Sequence, residues 1–265
     1  MSVIEFDKVT KRYGQQVVLS DFSMSVQQAE TKVILGGSGS GKSTILRMVL
    51  GLERPDSGTI SIGGTDITQL SEQALMPFRR QIGMVFQEGA LFDSLTVGEN
   101  VAYRLEEDGE YGPSDIDAAV HQVLGFVGLE HTAAMMPSEL SGGMRRRVAI
   151  ARALAGQPRI VLYDEPTAGL DPITSRTISE LIIKLRDLEG VSSILVTHDL
   201  TTAMILASEY AEIGSEGLVK FRSEDGRLCL INTRFVMLKA GRVLFEGPDE
   251  LLRAFDDAYV REFLE

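Results

Sequence analysis

Short apolar runs rich in Val, Ile and Leu recur at residues 33–35, 82–86, 160–163 and 194–197, with helical patterns between them. Continuous runs of that length are what strands buried on both faces of a parallel sheet look like. Residues 2–6, 17–26 and 58–62 read instead as an antiparallel strand layer, with turns at Tyr13-Gly14 and Gly63-Gly64. From about residue 91 to 154 the period changes. Ile116, Val120, Val123, Leu124 and Val127 share one helical face and no strand stands out, which predicts a helical subdomain inserted into an α/β core. Residues 212–233, with Gly217, a Gly226 turn and alternating Leu218, Lys220, Arg222 and Leu228, Leu230, predict an extra β-hairpin. In the tail, 248–265, Leu251, Leu252, Phe255, Tyr259 and Phe263 fall at the spacing of one amphipathic helix.

Composition narrows the class. The chain has 265 residues, 44% of them hydrophobic, enough for a full core in one or two domains. No apolar stretch approaches the roughly 18 residues that cross a bilayer, and the first residues lack the pattern of a signal peptide, so a cytoplasmic protein is expected. A net charge of -12 argues against nucleic acid as the main partner, because polyanions recruit Lys and Arg. The single cysteine, Cys229, excludes an internal disulfide, and three histidines without a Cys/His cluster give no zinc site. Any metal should take oxygen ligands.

The chemistry begins at Gly36, Gly37, Ser38, Gly39, Ser40, Gly41, Lys42, Ser43 and Thr44, which follow an apolar strand and open an apolar helix. That is the strand, glycine loop and helix context of a P-loop. Glycines let the backbone turn successive N–H groups inward, and the helix N-terminus adds partial positive charge for phosphates. Lys42 is then the partner of the β and γ phosphates and Ser43 a ligand of Mg²⁺. Downstream, the strand at 159–164 ends in Asp164 and Glu165 before Pro166. Adjacent strand residues face opposite ways, so Asp164 is assigned to the metal shell and Glu165, as general base, to the water attacking the γ phosphate. An apolar run ending in Asp-Glu is weak evidence alone; the glycine loop upstream gives it meaning.

Leu140-Ser141-Gly142-Gly143-Met144 makes the resemblance specific: the chain resembles the ATP-binding subunit of an ABC transporter, with Met144 where the family signature has Gln. Ser141, Gly142 and Gly143 stand before a helix and present N–H groups and a hydroxyl to an anion. The resemblance implies a P-loop NTPase fold, with a RecA-like parallel sheet, an antiparallel β layer and the inserted helical subdomain. It also implies ATP and Mg²⁺ as cofactors and a head-to-tail homodimer in which this signature serves the partner's nucleotide. Position by position it assigns Tyr13 to adenine stacking and Gln87 to the Q-loop, which reaches Mg²⁺ and the attacking water. Asp171, in Ala168-Gly169-Leu170-Asp171, belongs to the loop crossing the dimer interface, and His198 is the switch histidine at the γ phosphate. The family elements span about residues 1–247, and integral membrane permease subunits are the implied partners on the cytoplasmic face of the inner membrane.

The stretch from Gln87 to Val101, with Leu140 to Val148 and Leu162 to Ile173, resembles the Mla phospholipid-transport group and the related Mce-type lipid importers, whose signature accommodates Met144. This implies phospholipid trafficking and lipid-binding Mce/Mla-type and accessory subunits. An importer or exporter for an amino acid or drug is the alternative within transport. ABC ATPases of ribosomes or DNA generally carry two cassettes or a long coiled coil, absent here, and a small-molecule kinase would leave Ser141 and His198 without a role. The extra hairpin is open to two readings, a tolerated surface insertion or a partner-binding element. The tail either docks on its own core or meets the other protomer or an accessory subunit.

Overall fold

The structure is a computed structural model describing residues 2–214, 216–223 and 231–264. The chain opens on a hairpin of β1 (Ser2–Tyr13) and β2 (Gln16–Gln27), turning at Gly14 with φ 60. β3 (Thr31–Gly36), buried at every position, runs into the glycine loop and α1 (Lys42–Val49). β4 (Ser57–Ile62) and the two-residue β5 (Thr65–Asp66) complete an antiparallel sheet in the order β2-β1-β4-β5. α2 (Glu72–Arg79) and β6 (Ile82–Val85) return to the main sheet. The next three helices, α3 (Val97–Asp108), α4 (Pro113–Phe126) and α5 (Gly142–Leu154), occupy the segment expected to be helical. Then β7 (Ile160–Asp164), α6 (Pro172–Asp187), β8 (Ser192–Thr197) and α7 (Leu200–Ser208) alternate. β9 (Glu209–Ile213) pairs with β10 (Val219–Ser223), β11 (Thr233–Lys239) with β12 (Arg242–Gly247), and α8 (Asp249–Arg253) and α9 (Ala258–Leu264) follow.

The main sheet has the order β12-β11-β3-β8-β7-β6, parallel from β11 to β6, with β12 antiparallel at its edge. Its strands bury alternate residues on both faces. Val33, Leu35, Val161, Tyr163 and Leu195 pack with α3 to α6 on one face. Ile34, Ile160, Leu162, Ile194 and Val196 pack with α1 and the antiparallel layer on the other. Burial on both faces explains why these strands read as unbroken apolar runs. The helical segment has its own start signal, because Glu99 N–H donates to Thr96 Oγ1 at 3.2 Å while Thr96 N–H donates to Glu99 Oε2 at 2.7 Å.

Two sequence expectations need correction. The hairpin begins at Glu209, not 212, and pairs Ile213 with Val219; the expected Gly226 turn and Leu228, Leu230 alternation lie outside the described residues. The tail is two short helices instead of one. Asp257 accepts hydrogen bonds from Tyr259 N–H at 2.8 Å and Val260 N–H at 3.4 Å, so it starts a new helix, while Phe255 before it packs on Phe245 with ring centroids 5.2 Å apart.

One ionic cluster ties the hairpin to the core. Arg186 on α6, 2% exposed, donates to Leu206 O at 2.7 Å, Thr233 Oγ1 at 2.6 Å and Glu209 O at 2.9 Å, and pairs with Asp187 at 2.6 Å. Asp187 in turn accepts from Ala211 N–H at 2.8 Å. Removing one partner leaves the other buried and unpaired, so Arg186→Leu should lower the unfolding free energy by about 3–5 kcal/mol in urea titration. An unchanged midpoint would show that the cluster is not what holds α6, α7 and β11 together.

Candidate active site

The carboxyl ends of β3, β8, β7 and β6 face one cleft of about 660 Å³, lined by Tyr13, Gln16, Val18, Ser38 to Thr44, Gln87, Asp164, Glu165 and His198. Adjacent strands deliver these groups together because their register is fixed: Leu35 pairs with Thr197, Val196 with Asp164, and Tyr163 with Val85. A larger cavity of about 1010 Å³, lined by Gln28, Arg159 and Ser192 among others, lies at the opposite strand ends and contains none of these groups.

The loop is built for an anion. Gly41 takes φ 103, and a Cβ there would sit 2.9 Å from Leu19 Cδ2 and 3.0 Å from Val18 O, so only glycine fits. At Gly39 a Cβ would meet no atom within 4 Å, so what favours glycine there is its φ of 74. Gly41 caps α1 without a side-chain hydrogen bond, and the first turn has no acidic residue, so its N–H groups are free to receive phosphate oxygens. Lys42 Nζ folds back to donate to Gly36 O at 2.7 Å and Gly37 O at 3.1 Å.

The metal assignment fits the donor set. Ser43 Oγ donates to Asp164 Oδ1 at 3.2 Å, so two of the three groups assigned to Mg²⁺ already meet across the β3 and β7 ends, and the third, Gln87, lines the same cleft. Among the described residues no group of three or more His, Cys, Asp or Glu could hold a metal unaided. Mg²⁺ typically takes one or two carboxylates and completes its shell with waters and substrate phosphates, which this pair allows. Burial pushes the Asp164 carboxyl up and the Lys42 ammonium down, the latter opposed by the nearby Glu165 and Asp164 charges.

Glu165 lies beyond the end of β7 with φ 49, its N–H bound to Val196 O at 2.9 Å. Its carboxylate accepts from Thr197 Oγ1 at 3.0 Å and His198 N–H at 3.2 Å, and Oε1 is 2.9 Å from His198 Nδ1. Tyr13 stands at the rim, 45% exposed, with its hydroxyl bound to Glu53. Gln16 and Val18 were not anticipated. Gln16 pairs directly with Tyr13 across the Gly14 turn, so a residue two past that turn was the available signal.

The remaining predicted residues lie elsewhere. Gly36 and Gly37 form the entry to the loop instead of lining the cleft. Ser141 caps α5, accepting from Met144 N–H at 3.2 Å, and Asp171 caps α6, accepting from Ile173 and Thr174 N–H at 3.1 and 3.0 Å. These two helix starts touch each other: a Cβ on Gly143 would fall 2.3 Å from Thr174 Cγ2, and one on Gly142 3.8 Å from Leu170 Cδ2. Ser141, Gly142, Gly143 and Asp171 thus form a second group, outside this chain's own cleft.

A family model described as ABC transporter matches residues 19–168. The methionine import ATP-binding protein MetN of Bifidobacterium longum is 40% identical over 225 residues, covering 82% of this chain and 56% of its own length. The probable ribonucleotide transport ATP-binding protein mkl of Mycobacterium tuberculosis is 34% identical over 261 residues, covering 98% of this chain and 66% of its own. The chain therefore spans less than two thirds of these relatives. MetN 1 of Rhodococcus jostii is 44% identical over 256 residues, covering 95% and 68%. Among solved structures, a dimeric post-hydrolysis state of the ATP-binding cassette MJ0796 bound to ADP and Pi superposes with TM-score 0.75 at 31% identity, covering 92% of this chain and 98% of that one. The fold is that of a P-loop ABC ATPase, and the chain belongs to the ABC transporter ATP-binding family, whose members bind ATP with Mg²⁺.

Proposed function

We propose that the chain is the Mg²⁺-dependent ATP-hydrolysing subunit of an ABC transporter, acting as a homodimer beneath integral membrane permease subunits and driving import of a small molecule such as an amino acid. The observation that carries the hydrolytic reading is the convergence of Lys42, Ser43, Gln87, Asp164, Glu165 and His198 on one cleft. In this reading Lys42 releases the Gly36 and Gly37 carbonyls and pairs with phosphate oxygens, while the open N–H groups of the loop receive the rest. Bound Mg²⁺ would neutralise developing phosphate charge, held by Ser43 and Asp164 with Gln87 nearby. Glu165 takes the proton of the attacking water; Thr197 and His198 hold its carboxylate in place. His198 is the group best placed to exchange Glu165 for a γ phosphate.

The dimer is supported by the second group of residues. Ser141 to Gly143 present a helix start away from this chain's own cleft, and a nucleotide they bind must come from another copy. The similar MJ0796 cassette is described as dimeric. ATP bridging the two copies favours the closed pair, and hydrolysis removes the bridge. Among the described residues no helix is long and apolar enough to cross a membrane, consistent with a separate permease holding this subunit at the cytoplasmic face of the inner membrane.

For cargo, the relatives named for methionine import favour a small-molecule importer over phospholipid transport. The lipid reading, with Mce/Mla-type and accessory partners, rests on the resemblance of the segment from Gln87 to Val101 and on Met144 in the signature.

Replacing the base tests the hydrolytic reading. Glu165→Gln should cut ATP turnover by about 10²- to 10⁴-fold while nucleotide binding persists and an ATP-bound dimer accumulates in light scattering; normal turnover would remove Glu165 from the mechanism. Cargo is tested on the native complex with its permease. Stimulation of ATPase activity by an amino acid is the expected result, whereas copurified phospholipid together with phospholipid-dependent stimulation would turn the assignment to the lipid reading.

A further inference from the structure

The C-terminal helix reaches the phosphate loop. Gly37 N–H donates to the Tyr259 hydroxyl at 3.0 Å, and that hydroxyl donates to Leu238 O, the carbonyl at the end of β11, at 3.4 Å. Gly37 is thereby gripped from both sides, because its carbonyl accepts from Lys42 Nζ at 3.1 Å. The approach is close: a Cβ on Gly36 would lie 2.8 Å from Leu238 O, and one on Gly37 3.5 Å from the Tyr259 hydroxyl.

Tyr259 is itself fixed by independent contacts. Asp257 caps the helix start, Lys239 lies 3.9 Å from Asp257 and 4.9 Å from the centre of the Tyr259 ring, and Val260 beside it is fully buried. The hydroxyl therefore arrives at the loop on a short helix locked to the end of β11, which is also the strand next to β3. Packing alone would have been served by phenylalanine, as at Phe263 one turn later; the hydroxyl is the part that contacts the loop.

We propose that Tyr259 is a positioning residue of the nucleotide site, holding the entry of the phosphate loop in its binding shape and coupling the docking of α9 to nucleotide occupancy. This rests on the reading of the cleft as a nucleotide site. The loop must give up the Lys42 to Gly37 bond when Lys42 turns to phosphate; Ser40 N–H, 3.2 Å from Gly37 O, then holds the carbonyl inside the loop, and the Tyr259 bond is what ties Gly37 to the rest of the fold. Coupling is reciprocal: if docked α9 strengthens nucleotide binding, nucleotide must strengthen the docking of α9 by the same factor.

The test uses the full chain with Mg²⁺ and ADP, comparing wild type with Tyr259→Phe, which keeps the ring and loses only the hydroxyl. Loss of the hydroxyl, which accepts from Gly37 N–H and donates to Leu238 O, should weaken ADP binding about twofold to tenfold in calorimetry, with the nucleotide-free unfolding midpoint unchanged. In hydrogen exchange, ADP should slow the amides of residues 258–264 in wild type, and that slowing should shrink in Tyr259→Phe. A tail that merely packs on the core would respond in neither measurement. Equal ADP affinity in the two proteins, or exchange of 258–264 indifferent to ADP in wild type, overturns the proposal and leaves the nucleotide site standing. Failure of wild type to bind ADP overturns the nucleotide site and this proposal with it. If Tyr259→Phe also lowers the nucleotide-free midpoint, the wild-type exchange result decides alone.

Discussion

Parallel pairing of β3, β8, β7 and β6 sets the position of the phosphate loop and of Gln87, Asp164, Glu165 and His198 in the cleft. The loop leaves β3 at Gly36, Thr197 and His198 leave β8, Asp164 and Glu165 leave β7, and Gln87 follows β6. Each strand end is aligned with its neighbour by backbone hydrogen bonds between residues that carry no chemistry, such as Ile34 with Val196 and Tyr163 with Leu195. Because side chains alternate with a period of two, a slip of one residue in β8 would turn Ile194 and Val196 from the α1 side to the opposite face. That slip is opposed by two full apolar layers. The geometry of the cleft is thus held by burial on both sides of the sheet, at some distance from its polar groups.

The same argument explains what could be read in the chain beforehand. Strands buried on both faces write themselves as apolar runs, and the P-loop and the Asp164-Glu165 pair are local patterns whose chemistry follows from spacing. Elements with a weak apolar signature escaped. α2 buries only Leu75 among its described residues and carries Pro77 inside, so neither period nor propensity announces it. Gln16 enters the cleft only because a tight turn places it opposite Tyr13. The break in the tail did have a signal, since Asp257 is a good N-cap, but the apolar spacing from Leu251 to Phe263 overrode it.

Contacts between distant parts of the sequence were illegible for a different reason. The Tyr259 and Gly37 bond joins residues 222 apart in sequence. No local preference points one toward the other; the contact exists because β11 pairs with β3 and α9 returns over the end of β11. The grouping of Ser141 to Gly143 with Asp171 likewise comes from two helix starts meeting through Gly143, where Thr174 fills the space a side chain would need.

The electrostatics of the cleft argue for a ligand carrying both signs of charge. Lys42, with its ammonium pushed down by burial, sits next to Ser43, whose hydroxyl is bonded to Asp164, a carboxyl pushed up by burial. The first group asks for an anion and the second for a cation, and they are neighbours along the chain. A free phosphate would relieve Lys42 but add repulsion at Asp164 and Glu165. A free divalent cation would relieve Asp164 but oppose Lys42, and among the described residues too few ligands stand together to hold it alone. A metal-bound polyphosphate answers both at once, with its cation at the Ser43 and Asp164 side and its oxygens at the loop. Without it, the Gly36 and Gly37 carbonyls satisfy Lys42, and His198 and Thr197 satisfy Glu165. Binding then exchanges one set of hydrogen bonds for another, and the gain comes chiefly from charges that the protein cannot neutralise by itself.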